Sequence, residues 1–200
     1  MLVKALHWIA SFGPVYDMIQ TACGIQLIYR RFRRVLNTHT RYKTVLDVGG
    51  GTGRIRTHLS SDCKYYCLDN EAPKLLHFRR QTAGALAILG DATKAPVAGS
   101  SMDLVLCVAA AHHMNDSELK EMLSEITRIL RPGGFLFFHD PLQRPGWLPG
   151  RILWSLDRGS HPRSKEALLG ILTKHLRIIH QEEFRLAHQY LLLVASKAAS

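Results

Sequence analysis

Four glycines crowd positions 49 to 53, directly behind the apolar run TVLDV at 44–48. Glycine at this density lets a backbone approach another group closely and take conformations that side chains forbid. A buried strand running into such a loop is the arrangement by which open α/β sheets hold ligands at strand C-terminal ends. The remaining pattern agrees. Strands are predicted at KYYCLD (64–69), ALAILG (85–90), DLVLCVAA (103–110) and FLFFHD (135–140), with helices at 52–59, 71–81 and 117–130. Pro73 falls in the first turn of the second helix, Asp116 is placed to cap the third, and RPGG (131–134) to stop it. Strands alternating with helices predict an α/β fold, a parallel sheet covered on both faces. Before the glycines, 2–10, 15–22 and 25–36 read as short amphipathic helices broken by Gly13-Pro14 and Gly24. After Asp140, PLQRPGWLPG reads as a loop, 151–156 and 164–175 as helices, and 176–183 and 189–196 as two last strands.

The ligand of the loop can be narrowed. A nucleoside triphosphate loop ends in Gly-Lys-Ser/Thr, and this one runs Gly53-Arg54-Ile55. The dinucleotide fingerprint GxGxxG, counted from Gly49, requires glycine where Arg54 stands. What is present is Asp47-x-Gly49-x-Gly51-x-Gly53. An acid so close to the loop repels a pyrophosphate and suits a cationic amine. Asp69, at the end of the second strand, can accept from two ribose hydroxyls, and Asp91, after Gly90, from an exocyclic adenine amine. Plainer readings stand beside these: Asp47 and Asp91 as helix caps, Gly50 and Asn70 as turn residues. Only Asp69 has little structural reason to sit at a strand end.

Four segments, VLDVGGGTGR, CLDNEAPKL, LGDATKAPVAGSSMDLVLCVAAAHHMND and ITRILRPGGFLFF, run in order between 45 and 138. With them the chain resembles a class I S-adenosylmethionine-dependent methyltransferase of the small-molecule type. The resemblance implies a Rossmann-like, seven-stranded, mostly parallel sheet with helices on both faces, an antiparallel seventh strand at LLLVASK, and an N-terminal helical cap. It implies one domain over 1–200: cap at 1–40, cofactor-binding core at 44–140, lid or substrate segment at 141–175, closing strands at 176–196. The cofactor implied is S-adenosyl-L-methionine, leaving as S-adenosyl-L-homocysteine, with no metal. Carried over by position, Gly49, Gly51 and Gly53 line its methionine side and Asp47 lies near its amino group. Asp69 takes the ribose, Asp91 and Ala92 face the adenine with Asn70 at its edge, and Val108, Ala109 and His113 border the sulfonium. Tyr16 resembles a tyrosine that closes over the cofactor.

A sulfonium is a strong methyl donor, so the chain chiefly has to place a nucleophile in line with it. A hydroxyl or thiol acceptor also needs a general base. His112, after the fourth strand, and His139, at the end of the fifth and directed toward the substrate side, are the candidates; ordinary packing is the alternative for His112. No Asn/Asp-Pro-Pro-aromatic stretch follows the fourth strand, which argues against adenine or glutamine amides as acceptors. No acidic cluster marks a magnesium site, Asp140 apart. Aromatics in the flanking segments (Trp8, Phe12, Trp147, Trp154) together with arginines suit a small, anionic or amphipathic acceptor.

Net charge is +10 and uneven. Residues 1–43 hold seven Lys/Arg against one Asp, 44–140 ten against eleven acids, and 141–200 nine against four. The basic ends are either solvated helix faces or surfaces for something anionic, including peripheral membrane contact through the N-terminal helices. An RNA- or protein-directed methyltransferase rests on that charge alone, so nucleic acid is not the expected partner. A non-catalytic S-adenosylmethionine-binding module is the third reading, and a nicotinamide dehydrogenase is disfavoured by Arg54 and Asp47. The longest wholly apolar run, LVLCVAAA (104–111), is far short of a bilayer span, and 1–14 reads as a helix, not a signal peptide. Four cysteines lie mostly in apolar segments without zinc-site spacing. Reduced thiols and a cytoplasmic location are expected.

Overall fold

The computed structural model describes residues 25–82, 84, 86–143, 154, 161–186 and 188–197. Its elements are α1 (Ile25–His39), β1 (Thr44–Val48), a 3-10 turn (Arg54–His58), β2 (Lys64–Asp69), α2 (Ala72–Gln81), β3 (Leu86–Leu89), β4 (Met102–Val108), α3 (Asp116–Ile129), β5 (Leu130–Leu142), α4 (Lys165–Leu172), β6 (Arg177–Arg185) and β7 (Gln189–Ser196). The strands form one sheet in the order β3-β2-β1-β4-β5-β7-β6. The first five run parallel, and β7 lies antiparallel between β5 and β6. The expected α/β sheet with an antiparallel seventh strand is what forms. The helices expected at 2–10, 15–22 and 151–156 lie outside the described residues, apart from Trp154, and so do Tyr16, Trp8, Phe12 and Trp147.

Strand alternation divides the core into two layers. Leu104, Leu106 and Phe137 pack under α1, the 3-10 turn and α2. Val105, Cys107, Leu136 and Phe138 pack under α3 and α4. In α1, Ile28, Phe32, Val35 and Leu36 form the buried stripe, while Arg31 and Arg34 tie the helix to Glu182 of β6. The described cysteines, Cys63, Cys67 and Cys107, are buried and free.

Four local expectations change. The helix expected at 52–59 is the five-residue 3-10 turn, because Gly53 enters it at φ 70° and Leu59 leaves it extended. The cap of α3 is Asn115, not Asp116: its side chain accepts from the Ser117 and Glu118 amides, and the Glu118 carboxylate accepts from the Asn115 amide. That reciprocal box satisfies more of the open amides at the helix start than one acid could, and Asp116 instead pairs with Arg163. RPGG does not separate helix from strand. It is a bulge within β5, since Leu130 pairs with Met102 and the next matched pair is Phe135 with Leu104. Finally, β4 ends at Val108, where Ala109 turns to φ 52°.

Candidate functional site

Because β1 to β5 run parallel, their C-terminal ends share one edge of the sheet, and the order reverses at β1, which pairs with both β2 and β4. Crevices at such a reversal are where open α/β sheets bind ligands. The glycine loop sits there. Its Gly49 and Gly50 amides donate to the Leu68 carbonyl at 2.8 and 3.2 Å, and Gly53 closes back on the Gly50 carbonyl at 2.8 Å.

Asp69 is organised by this loop. The Gly51 amide donates to one of its carboxylate oxygens and the Glu71 amide to the other, each at 2.8 Å. The residue thus has a structural reason for its place, which its position in the sequence does not suggest. Gly51 itself sits at φ 55°, and a side chain there would meet only ordinary clearances, 3.6 Å from Lys74 Cδ and 3.9 Å from Asp69 Oδ2. The neighbouring Gly50 is different, since a Cβ would lie 2.7 Å from both the Asp47 carboxylate and Cys67 Sγ. The loop is thus less crowded beside Asp69, itself buried, than over Asp47.

Asp47 is buried beneath the loop and accepts a hydrogen bond from the Tyr65 hydroxyl, so it caps no helix. Burial pushes its carboxyl up to about 7, against the lowering effect of that hydrogen bond and with the Asp69 charge adding to the rise. Tyr65 escaped the sequence reading. Its signal was the two-residue alternation that puts Tyr65 and Cys67 on one face of β2, next to Asp47 in register. Asp91 is exposed and caps the short turn Ala92–Lys94, its Oδ1 accepting from both the amide and the hydroxyl of Thr93. Asn70 is exposed beside Asp69, and Ala92 is half-buried.

At the end of β4, half-buried Val108 leads into Ala109, whose amide donates to the His139 carbonyl at 2.8 Å. A non-glycine residue at positive φ is uncommon, and such strain gathers where surrounding structure fixes a site. His112 follows on the buried side of a 3-10 turn, Ala111–His113, while His113 is exposed with its ring 4.2 Å from that of His112. The His112 Nδ1 lies 2.8 Å from Asp140 Oδ1, both side chains 4 % exposed. Arg163, also missed in the sequence, clamps this turn by donating to the carbonyls of Ala111 and Met114, and the His161 amide donates to the His112 carbonyl.

His139 does not join them. Adjacent strand residues face opposite ways, so Asp140 reaches His112 while the His139 ring is enclosed by Phe32, Phe184 and Tyr190, with centroids 4.8, 5.9 and 4.9 Å away. Neither ring nitrogen has a hydrogen-bond partner among the described residues. Burial, with the nearby His112 adding, holds its pKa down at about 3. The side chain expected to face the substrate is therefore a neutral ring within an aromatic cluster. In the unfolded chain it titrates near 6.5, so between that value and 3 the unfolded state binds the extra proton. Stability contributed by the neutral ring is full above 6.5 and falls as the pH drops, by about 2 kcal/mol at pH 5. His139→Phe should flatten the acid limb of a urea-denaturation series by that amount, and an unchanged limb would show that the ring is solvated.

The methyltransferase-domain family matches residues 46–138, which span the glycine loop, Asp69, Asp91, His112 and most of β5. Phthiotriol/phenolphthiotriol dimycocerosates methyltransferase 1 of Mycobacterium ulcerans is 36% identical over 146 residues, 69% of this chain and 53% of the relative. Malonyl-[acyl-carrier protein] O-methyltransferase of Salmonella typhimurium is 29% identical over 158 residues, 78% of this chain and 61% of the relative. Among solved structures, an S-adenosylmethionine-dependent methyltransferase of Methanosarcina mazei superposes with a TM-score of 0.73 over 83% of this chain and 98% of its own, at 16% identity, a likeness of fold. Residues 46–138 thus match a methyltransferase domain, and the fold is that of S-adenosylmethionine-dependent methyltransferases. The chain spans about half the length of the curated relatives it matches. In this chain the residues expected to touch the cofactor lie along one sheet edge wherever they are described, and Tyr16 lies outside the described residues. Among the described residues no group of three or more His, Cys, Asp or Glu could hold a metal ion, and no helix is long and apolar enough to cross a membrane.

Proposed function

We propose that this protein transfers the methyl group of S-adenosylmethionine to a small, anionic or amphipathic acceptor. The observation that carries the reading is the buried Asp69 carboxylate, fixed by the amides of Gly51 and Glu71 beside the glycine loop. A carboxylate accepts at about four positions; the two not taken by amides suit the paired hydroxyls of a ribose. Asp47, buried beneath the loop, meets a ligand ammonium group only through the loop backbone, and that positive charge would favour its ionised form. Asp91 keeps Oδ2 for an exocyclic amine, with Asn70 and Ala92 alongside. Gly49, Gly51 and Gly53 line the methionine side, and Val108, Ala109 and His113 the sulfonium side.

The bound cofactor supplies an electrophilic methyl group. What the chain adds is position and a base. A carboxylate at Nδ1 favours the imidazole tautomer with its proton on that nitrogen, which makes His112 Nε2 the basic atom. His112 removes the proton of a hydroxyl acceptor, and Asp140 is its positioning residue. The two relatives named above, one named for phthiotriol/phenolphthiotriol dimycocerosates and one for malonyl-[acyl-carrier protein], support an acceptor that is anionic or lipid-like. A cytoplasmic location fits the same reading.

Calorimetric titration with S-adenosylhomocysteine tests the site. Asp69→Ala should weaken binding by about 1–3 kcal/mol, the loss of charge-assisted hydrogen bonds. Wild-type affinity in that variant, or binding of NADH in place of the homocysteine ligand, would overturn the assignment.

A further inference from the structure

The two helical layers of the sheet differ sharply in charge. The layer of α1, the 3-10 turn and α2 carries Arg30, Arg31, Arg33, Arg34, Arg54, Arg56, Lys74, Arg79 and Arg80, and no Asp or Glu within those elements. The opposite layer, α3 and α4, carries five acids against three bases. The three basic elements form one surface: Tyr29 of α1 stacks on His58 of the turn at 4.2 Å, and Phe78 of α2 packs directly against Gly53 at the turn's start. Within the layer, Arg31 and Arg34 bind Glu182, and Lys74 binds Glu71. Arg30, Arg33, Arg79 and Arg80 are exposed and have no ion-pair partner among the described residues.

The same surface displays leucine. Leu27 is 54 % exposed one turn before Arg30, and Leu76 is 53 % exposed one turn before Arg79 and Arg80. Positions three and four apart share a helix face, so each leucine sits in the same stripe as the arginines that follow it. At the neighbouring sheet edge Leu89 is 60 % exposed, and it faces this layer because Ala87, two residues earlier, packs into its core.

We propose that this face docks on a bilayer of anionic phospholipid, with the arginines at the headgroup phosphates and Leu27, Leu76 and Leu89 at the acyl boundary. Charge complementarity requires an anionic partner, and the leucines among the cations favour lipid over nucleic acid. A nucleic-acid surface presents rings for stacking bases, whereas here Tyr29 is taken by His58 and Phe32 and Phe78 are buried. The substituted arginines and leucines of α1 and α2 are not among the residues assigned to the cofactor, so lipid docking stands or falls separately from methyl transfer, although Leu89, paired with Asp69 in register, borders the cofactor edge.

Cosedimentation of the 200-residue chain with phosphatidylcholine liposomes, with and without phosphatidylglycerol, tests it. Binding is expected only with the anionic lipid and should weaken as salt rises. Replacing Arg30, Arg33, Arg79 and Arg80 together by Ala should lower partitioning by about 100-fold or more, at roughly fivefold per cation. The matching Arg→Lys variant should bind as the wild type does, and S-adenosylhomocysteine affinity should be equal in all three as a check on folding. Leu27→Ser with Leu76→Ser should reduce the binding that survives at high salt. Equal binding to both liposomes, or anionic binding that survives the Ala variant, would overturn the proposal. So would a single-stranded RNA that binds through the same arginines and displaces the liposomes.

Discussion

Gly53→Ala is expected to lower folding stability by about 2–5 kcal/mol, a large part of what a typical domain possesses. Two costs combine. The residue sits at φ 70°, and an added Cβ would lie 2.2 Å from Phe78 Cδ2. Phe78 has nowhere to go: it is fully buried and packs edge-on to Tyr65 at 5.8 Å. Gly133, at φ 75° in the β5 bulge, separates the two costs, because a Cβ there would meet nothing within 4 Å. Gly133→Ala should therefore lose only about 1–2 kcal/mol. Urea midpoints of the two variants provide the measurement. Equal losses would mean that the Phe78 ring yields freely and that only backbone conformation fixes Gly53.

His112→Gln is expected to reduce kcat by about 100- to 10,000-fold on a hydroxyl acceptor, the range supplied by a positioned general base. S-adenosylhomocysteine binding should stay near the wild-type value, since His112 is not among the residues assigned to the cofactor. Asp140→Asn discriminates further. An amide in place of the carboxylate can hold the ring with Nδ1 as the acceptor, moving the proton to Nε2 and abolishing the base while leaving the geometry in place. A similar fall in kcat, with the rise of rate with pH displaced, would support the dyad. A loss below about tenfold in both variants would return His112 to packing, with the acceptor entering already deprotonated.

The parts legible in the sequence are those set by short-range periodicity. Strand alternation and helical spacing located β1 to β7, and the glycine loop announced the sheet edge at which ligands gather. Missing were contacts made by residues far apart in the chain. Asp140 stands 28 residues from His112, and Arg163 donates across 49 to 52 residues to the carbonyls that hold the His112 turn. Nothing local marks such pairs. His139 is the opposite case, because its neighbour and a two-residue period contained the answer. If Asp140 faces the site, His139 has to face the other core. Asp116 and Asn115 show a third kind of difference. Both can cap a helix, and the Glu three residues after Asn115 decides between them through the reciprocal hydrogen bonds it completes.

The place of β7 between β5 and β6 also sets the order in which the molecule can be completed. Of the seven described strands it is the last along the chain, yet β6 has it as its only sheet neighbour among the described residues. During synthesis β1 to β5 can pair as they emerge, whereas β6 must wait, its backbone groups unpaired, until Gln189–Ser196 has left the ribosome. β5 meanwhile presents a long open edge from Phe135 to Leu142. An open edge of this kind templates pairing with another chain, so the interval before β7 arrives is when a nascent copy is most exposed to association with its neighbours.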